Sequence, residues 1–465
     1  MQPATALARL WADAGMPADA LDGMRLTGSD PVLPSSFAVG AAAQVSIAAA
    51  GLAAATLHRE AGHREAGGPA QIVSVDMRHA ATEFHSEHWM RVNGQPPPPV
   101  WDKIAGIYPT ADGYVRLHTN LPHHREGVLR ILGCGYDRDD VARILAGWKA
   151  TDFEQACADA EIVGSAYRSI AEWEAHPHGQ AVPTLPVVSI TRIGDAPAEP
   201  MAKGPRPLSG VRVLDLTRVI AGPVCGRTLA AHGADVLLVI SPNLPNVGEL
   251  AIDTGRGKLA THLELREAAD RETLRGLLKD ADIFVQGYRP GGLSAKGFSP
   301  EETARIRPGI VHVSLSAYGP AGPWSAKRGF DSLVQTATGI NHAEAAAAGQ
   351  TAPKPLPVQA LDHASGYLLA FGALAALRRR ATEGGSWHVQ VSLVRTGHWL
   401  RGLGRIEGGL ACPPPTEADV AQYLEETGSG FGNLRAVRHA AILSATPARW
   451  DRPSVPTGTH LPRWP

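Results

Sequence analysis

This chain has little with which to cross-link itself, hold a metal or carry net charge. Its four cysteines, Cys134, Cys157, Cys225 and Cys412, lie far apart and form no CxxC pair. That spacing argues against a disulfide framework or a zinc site and fits a reducing, cytoplasmic setting. The formal net charge is −1 over 465 residues, so nothing in it points to nucleic acid or an anionic membrane surface. The 19 histidines include no HExxH spacing, and His123-His124 and His176-Pro177-His178 read as loop histidines. No GxSxG elbow occurs, which weakens an α/β-hydrolase reading. Gly255-Arg256-Gly257-Lys258 is no P-loop, because Leu259 stands where the metal-binding hydroxyl belongs. The N-terminus lacks the basic start and continuous apolar core of a signal peptide. Ala41–Ala55 is apolar, but Gln44 and Ser46 interrupt it and it is short of a membrane span. The expectation is a soluble, cytoplasmic protein with no metal, no tightly bound cofactor and no membrane partner.

What is present is most concentrated in Pro207–Pro223, PLSGVRVLDLTRVIAGP. An apolar strand, Val211–Leu216, runs into a turn, a helix over Val224–His232, Gly233, and a second apolar run, Val236–Ile240. This β-turn-α-β unit opens a parallel α/β sheet. Such sheets bind ligands beyond the carboxyl ends of their strands, which puts Thr217–Pro223 where chemistry is expected. No GxGxxG follows the first strand, so a dinucleotide is not expected.

Two segments read alike. In Ala41–Ala80, AAAGLAAATLHRE precedes IVSVDMRHA; in Leu361–Gly397, LLAFGALAALRRR precedes HVQVSLVRTG. Each is a small-residue helix, a basic loop and an alternating strand, a partial duplication rather than a solenoid repeat. Residues 1–95 are therefore expected to duplicate part of a large domain. Pro96–Pro99 marks a boundary, and 96–195 reads as a small α/β domain. After a Pro- and Gly-rich linker, 206–400 forms the large domain. Residues 401–465 read as an extended Pro-rich tail that drapes over another surface.

Four features carry chemistry. Asp362, in Ala360-Leu361-Asp362-His363-Ala364-Ser365-Gly366, opens a long apolar helix over Ala364–Arg379. It is either a plain N-cap or a nucleophile kept ionised by the same helix N–H groups. The matching position in the first segment is Ala41 or Ala42, which suits one active carboxylate per chain. Second, Asp253–Arg266 offers Arg256 and Lys258 on a glycine-punctuated loop, fit for a phosphate-bearing ligand or for a solvated basic turn. Third, the strand Ala281–Gln286 ends in Tyr288-Arg289-Pro290-Gly291-Gly292. Fourth, Ile310–Phe330 ends a strand in hydroxylated residues and Tyr318-Gly319-Pro320. The strand ends after Leu216, Ile240, Gln286 and Leu315 together describe one crevice.

These pieces resemble the family III CoA-transferases. The match runs through GVRVLDLTRVIAGPVCGRTLAAHGADV, GRGK with LELR, ADIFVQGYRPGGL, GIVHVSLSAYGPAGP, GFDSLVQTATG and ALDHASGYLLAFGALAAL, in order over 207–400. VSVDMRHAA, GIYPTADGYVRL and AEWEAHPHGQAV resemble pieces of the family's later half, and PSVPTGTH resembles its C-terminus. The chain thus looks like a member with halves rearranged and partly duplicated. The resemblance implies a Rossmann-like α/β large domain, a smaller α/β domain and an interlocked homodimer. It implies acyl-CoA and a carboxylic acid as substrates, with CoA as a substrate rather than a resident cofactor. Asp362 matches the catalytic aspartate, which would form an anhydride and then an aspartyl–CoA thioester. Val219, Ile220 and Ala221 match the CoA-binding first turn, and Phe330 an aromatic beside the pantetheine.

The sequence departs from the pattern at Leu238-Val239-Ile240-Ser241-Pro242, where the family has a Lys-Val-Glu run. Leu259 and Ala295 replace arginines, and Ile220 replaces a small polar residue. Arg218, Arg256, Lys258, Arg289 and Lys296 are the cations left to meet CoA phosphates. An acyl-CoA racemase of the same superfamily needs a histidine where Phe330 stands, and phenylalanine cannot transfer a proton. A non-catalytic CoA-binding paralogue is the third reading. Specificity is expected from the pocket around Asn341–Val358.

Overall fold

Continuous runs of Val, Ile and Leu build a sheet buried on both faces. The computed structural model describes residues 1–62 and 71–465. The large sheet contains β1 (Ser189–Gly194), β2 (Arg212–Leu216), β3 (Asp235–Ile240), β4 (Lys258–His262), β5 (Ile283–Gln286), β6 (Val311–Ser316) and β7 (Ser386–Ser392). Their order is β4-β3-β2-β5-β6-β7-β1. All pairs are parallel except β1 with β7 at the edge. The chain enters at β2, winds outward through β3 and β4, then returns to the other side of β2 with β5. The strand order reverses between β2 and β5, and a crevice opens there beyond their carboxyl ends. The fold is the expected Rossmann-like α/β arrangement. The edge strand β1 comes from the 96–195 stretch assigned to the small domain. It is half-exposed and shows no apolar run, so only its ladder to β7 reveals it.

Two helices frame the crevice, α2 (Ala221–Ala231) and α3 (Ala360–Glu383), and α1 (Val39–Glu60) packs against α3. Both α1 and α3 are long and apolar enough to cross a membrane by length and composition, and both are buried inside the protein. The helix α1 extends past the Ala41–Ala55 run at both ends, so the run is longer than its composition suggested. Their alanines and glycines let backbones approach closely. A Cβ on Gly366 would lie 2.6 Å from the Ala221 carbonyl oxygen, so α3 rests directly on the start of α2.

The starts of α1 and α3 are alike. Ala38, before α1, has φ −76° and ψ 60°; Gln359, before α3, has φ −75° and ψ 65°. Asp30 accepts the Ala41 N–H at 2.9 Å, and Asp331 accepts the Leu361 and Asp362 N–H groups at 2.8 and 2.9 Å. Strand Val73–Asp76 leads to a helix capped by Asp76, as β7 leads to a helix capped by Ser392. The first strand, however, lies in its own three-stranded sheet with Met24–Thr27 and Ile442–Leu443. The basic loop expected before it falls on 63–70, outside the described residues.

A separate sheet joins Gly106–Pro109, Tyr114–Leu117 and Gly164–Ala166. Helices Pro122–Leu132, Arg138–Leu145 and Ala150–Asp159 cover it around a core with Val115, Leu117, Val141 and Phe153. The C-terminal stretch is not simply an extended tail. Leu424–Ser429 and Gly432–Val437 form a hairpin whose third strand is Arg91–Val92. Buried Leu434, Ala436 and Val437 hold it, in a segment whose apolar alternation is too sparse to announce a strand. Only the end drapes: Trp450 and Trp464 donate their indole N–H groups to the carbonyls of Arg227 and Leu277.

One buried ion pair ties the sheet to the crevice loop. Lys258 Nζ lies 2.8 Å from Asp215 Oδ2 and donates to the Pro223 carbonyl at 2.8 Å. Asp215 also accepts the Thr217 N–H at 3.1 Å. Removing one partner of a buried pair strands the other charge. Lys258→Met is therefore expected to cost about 3–5 kcal/mol in chemical denaturation. Pairing it with Asp215→Leu is expected to recover most of the loss.

Candidate active site

Asp362 occupies the first turn of α3, yet it does not cap that helix. The free N–H groups of Leu361 and Asp362 go to Asp331, whose other oxygen is held by Gln335. Gln335 in turn accepts the Leu356 N–H at 3.0 Å. Asp331 thus takes the hydrogen bonds expected for Asp362. The helix N–H groups therefore do not keep Asp362 ionised. Burial pushes its carboxyl well up, and the charges of Asp331 and Glu87 push it further. Asp331 is raised by burial to about 6, with its N–H bonds working against the rise. Of the two, Asp362 is the harder to ionise, because it lacks the donors that Asp331 has. Its neighbour His363 turns the other way, with Nε2 3.1 Å from Glu87 Oε2. Burial would raise Glu87, but His363 outweighs it and holds that carboxyl below its usual range.

Asp362 is 8% exposed, and that exposure faces two cavities. The first, about 320 Å³, takes its walls from the ends of β2, β5 and β6, with Leu244 from the loop after β3. These are the four strand ends that the sequence gathered into one crevice. Arg218, Val219, Ile220, Ala221, Tyr288, Arg289 and Phe330 all line it. Arg218 donates to the Pro245 carbonyl at 2.6 Å and has no acidic partner within ion-pair distance among the described residues. Arg289 and Arg328 share Glu161, at 3.0 and 2.8 Å. The second cavity, about 580 Å³, lies on the other side of Val219, Ile220, Phe330 and Asp362. Pro96–Pro99, Trp101, His118, Leu356 and Val358 are among its walls.

The loop between the cavities is strained. Val219 has φ +74°, an uncommon conformation that is costly for a β-branched residue. The turn needs Gly222, where a Cβ would meet the Thr217 side chain at 2.4 Å. Beyond the turn, Ala221 and Gly222 open α2, and the first N–H groups of a helix have no intrahelical partner. Gly366 stands one helical turn from Asp362 on the same face and touches Ala221. The α2 N-terminus therefore lies beside the Asp362 carboxyl.

Three sequence candidates fall elsewhere. Arg256 is buried, bonded to Asp253 and the Val437 carbonyl, with Trp450 4.1 Å below it. Lys258 is the buried partner of Asp215. Both hold the fold together and neither lines the crevice. Lys296, in a short 3-10 turn after β5, lines neither cavity. Conversely, several site residues gave no signal as such. His123 and His124 belong to the start of a helix and line the first cavity. The proline run forms a wall as well as a boundary. Phe330 stacks on His118 at 3.9 Å with an interplanar angle of 4°, which clamps the small sheet over α3. Burial lowers His118 to about 3. Asp331 stood in the quoted GFD run without a role.

A raised carboxyl makes stability depend on pH. Native Asp362 holds its proton more tightly than the unfolded chain does, so its contribution is favourable at low pH. That contribution is lost as pH rises from about 4, the ordinary value, through the raised one. Asp362→Asn is thus expected to raise the melting temperature at pH 7. The gain should shrink towards zero as pH falls to about 4, in paired thermal melts.

Residues 208–404 match the family described as CoA-transferase family III. An acetyl-coenzyme A transferase of Hypoxylon pulicicidum is 32% identical over 64% of this chain and 54% of its own. An acyl-CoA transferase of Gibberella moniliformis is 30% identical over 69% of this chain and 64% of its own. The chain thus spans less than two thirds of the length of these two relatives. A probable fatty acyl-CoA transferase of Mycobacterium tuberculosis is 30% identical over 54% of this chain and 69% of its own. With the β2–α2 crevice turn and the α3 aspartate both inside the matched residues, the chain belongs to CoA-transferase family III.

Proposed function

We propose that the protein transfers CoA from an acyl-CoA to a carboxylic acid, with Asp362 as the covalent carrier. The observation that carries this reading is the carboxyl of Asp362, which accepts no hydrogen bond among the described residues and reaches both cavities. Phosphate groups suit the first cavity, where Arg218 lacks an acidic partner and Arg289 and Arg328 share one. An acyl chain suits the second.

An Asp362 oxygen attacks the thioester carbon, the C–S bond breaks, and an acyl–aspartyl anhydride and CoA thiolate result. The thiolate then attacks the Asp362 carboxyl carbon, expelling the donor acid and leaving an aspartyl–CoA thioester. An acceptor carboxylate reverses the two steps. No water enters and no proton is gained or lost overall. Burial serves both ends: it keeps water from the thioester, and it makes the desolvated carboxylate a stronger nucleophile. Negative charge on the attacked carbonyl oxygen is met by the N–H groups of Ala221 and Gly222 at the start of α2. The strained Val219 holds that turn open.

The N-terminal segment supports one site per chain. Ala41 stands at the α1 position corresponding to Asp362, beneath the Asp30 bridge. That segment still supplies walls, because His85 and Glu87 line the second cavity.

Incubation with an acyl-CoA and hydroxylamine is expected to leave a hydroxamate at Asp362, read by mass spectrometry. No modification with any of a broad acyl-CoA panel, alongside retained CoA binding, would establish a binding protein instead. Cα proton exchange in deuterated water without transfer would favour the racemase. Only the ionised carboxylate attacks, so the transfer rate should rise with pH through the raised carboxyl value. Asp331→Asn removes a neighbouring charge and keeps an acceptor for the two N–H groups. It is expected to move that rise to lower pH.

A further inference from the structure

The second cavity contains a cation that the fold does not use. Arg116 lies on strand Tyr114–Leu117 of the small sheet and lines that cavity. It is half-buried, and among the described residues no acceptor takes any of its N–H groups and no carboxylate lies within ion-pair distance. Its Nε is fully enclosed and unbonded. The contact it does make is with Trp101, whose ring centre lies 4.8 Å from the guanidinium carbon. Stacking of that kind fixes the plane of the group and leaves its N–H edge free for a bidentate partner. Burial depresses its basicity to about 10, which still leaves it charged at neutral pH. A half-buried guanidinium with five donors and no acceptor is costly unless a ligand supplies one.

The other charges of this cavity are already engaged. Glu87 is held by His363, and Asp331 by two backbone N–H groups and Gln335. Arg91 donates to the His88 and Met90 carbonyls. Arg116 is two residues from His118, which stacks on Phe330 beside Asp362. Two residues on a strand share a face about 7 Å apart. Arg116 and Asp362 thus line one cavity, whose walls also include Pro96–Pro99, Trp101 and Leu356.

We infer that the acyl group handled here carries a second carboxylate, remote from the thioester, which Arg116 grips. The substrate class is then a short dicarboxylic acid and its mono-CoA ester. Arg116 is a specificity residue for that far carboxylate and plays no part in the acyl transfer itself. This inference rests on the CoA-transferase reading of the same site.

Glutaryl-CoA and valeryl-CoA have the same chain length and differ in the terminal carboxylate, so they separate the two ideas. Calorimetric titration of the full chain is expected to show glutaryl-CoA bound at least about tenfold more tightly than valeryl-CoA, as for hydrogen bonds to a charged group. Arg116→Met should erase that preference while free CoA binds as before, and Arg116→Lys should keep part of it. Free CoA binding also verifies that each variant is folded. Equal affinity of the native protein for both esters, or a preference that survives Arg116→Met, overturns the inference. If valeryl-CoA still modifies Asp362 in hydroxylamine, the transferase reading stands without it. Failure of both esters to bind or to modify Asp362 overturns both.

Discussion

Two carboxylates stand at the start of one helix, and its first N–H groups bond Asp331 rather than Asp362. Asp331 takes the N–H groups of Leu361 and Asp362. The Asp362 carboxyl is left buried beside like charges and, among the described residues, without donors. A side chain in that state is destabilising. It persists because α3 is packed against α1 and, through the Gly366 contact, against α2. The strain at Val219 belongs to the same arrangement. Both costs fall on the few residues that line the two cavities, where a reactive centre is expected to concentrate them.

The division of the basic residues follows from the same constraint. Lys258 and Arg256 sit in glycine-rich sequence that reads as a phosphate loop, yet both are consumed by buried acids, Asp215 and Asp253. Arg218 and Arg116 meet no carboxylate within ion-pair distance among the described residues and keep their charge available. A cation's availability depends on whether a carboxylate reaches it, from three residues away for Arg256 and from a distant segment for Lys258. Lys258 and Asp215 are 43 positions apart, and no local pattern encodes that pairing.

Close packing of small residues explains how one chain contains two similar helix starts and a single candidate carboxylate. The alanines of α1 and the alanines and glycines of α3 are buried together. The first helix retains its Asp30 bridge, and Ala41 offers no functional group. Meanwhile the residues after it, from His85 to His118, reach over to complete the crevice of the second helix. His85, Glu87 and His118 line the same cavity as Asp362.

The Rossmann-like sheet and the crevice at its strand ends were legible in the sequence, and so was Asp362 near the start of a long apolar helix. Each of those is written in short-range signals: apolar runs, glycine turns and a family motif read in order. The sequence also identified Arg218, Tyr288, Arg289 and Phe330, because strand ends carry them to one place. That Asp331 and not Asp362 takes the first N–H groups of α3, that Lys258 and Arg256 serve the core, and that Arg116, His118 and the proline run line the second cavity became visible only in the folded chain. The antiparallel strand β1 and the C-terminal hairpin were illegible for a related reason, since each depends on a ladder to residues far away in the chain. Hydrogen-bond ownership and charge pairing are properties of partners, and long-range partners exist only once the chain has folded.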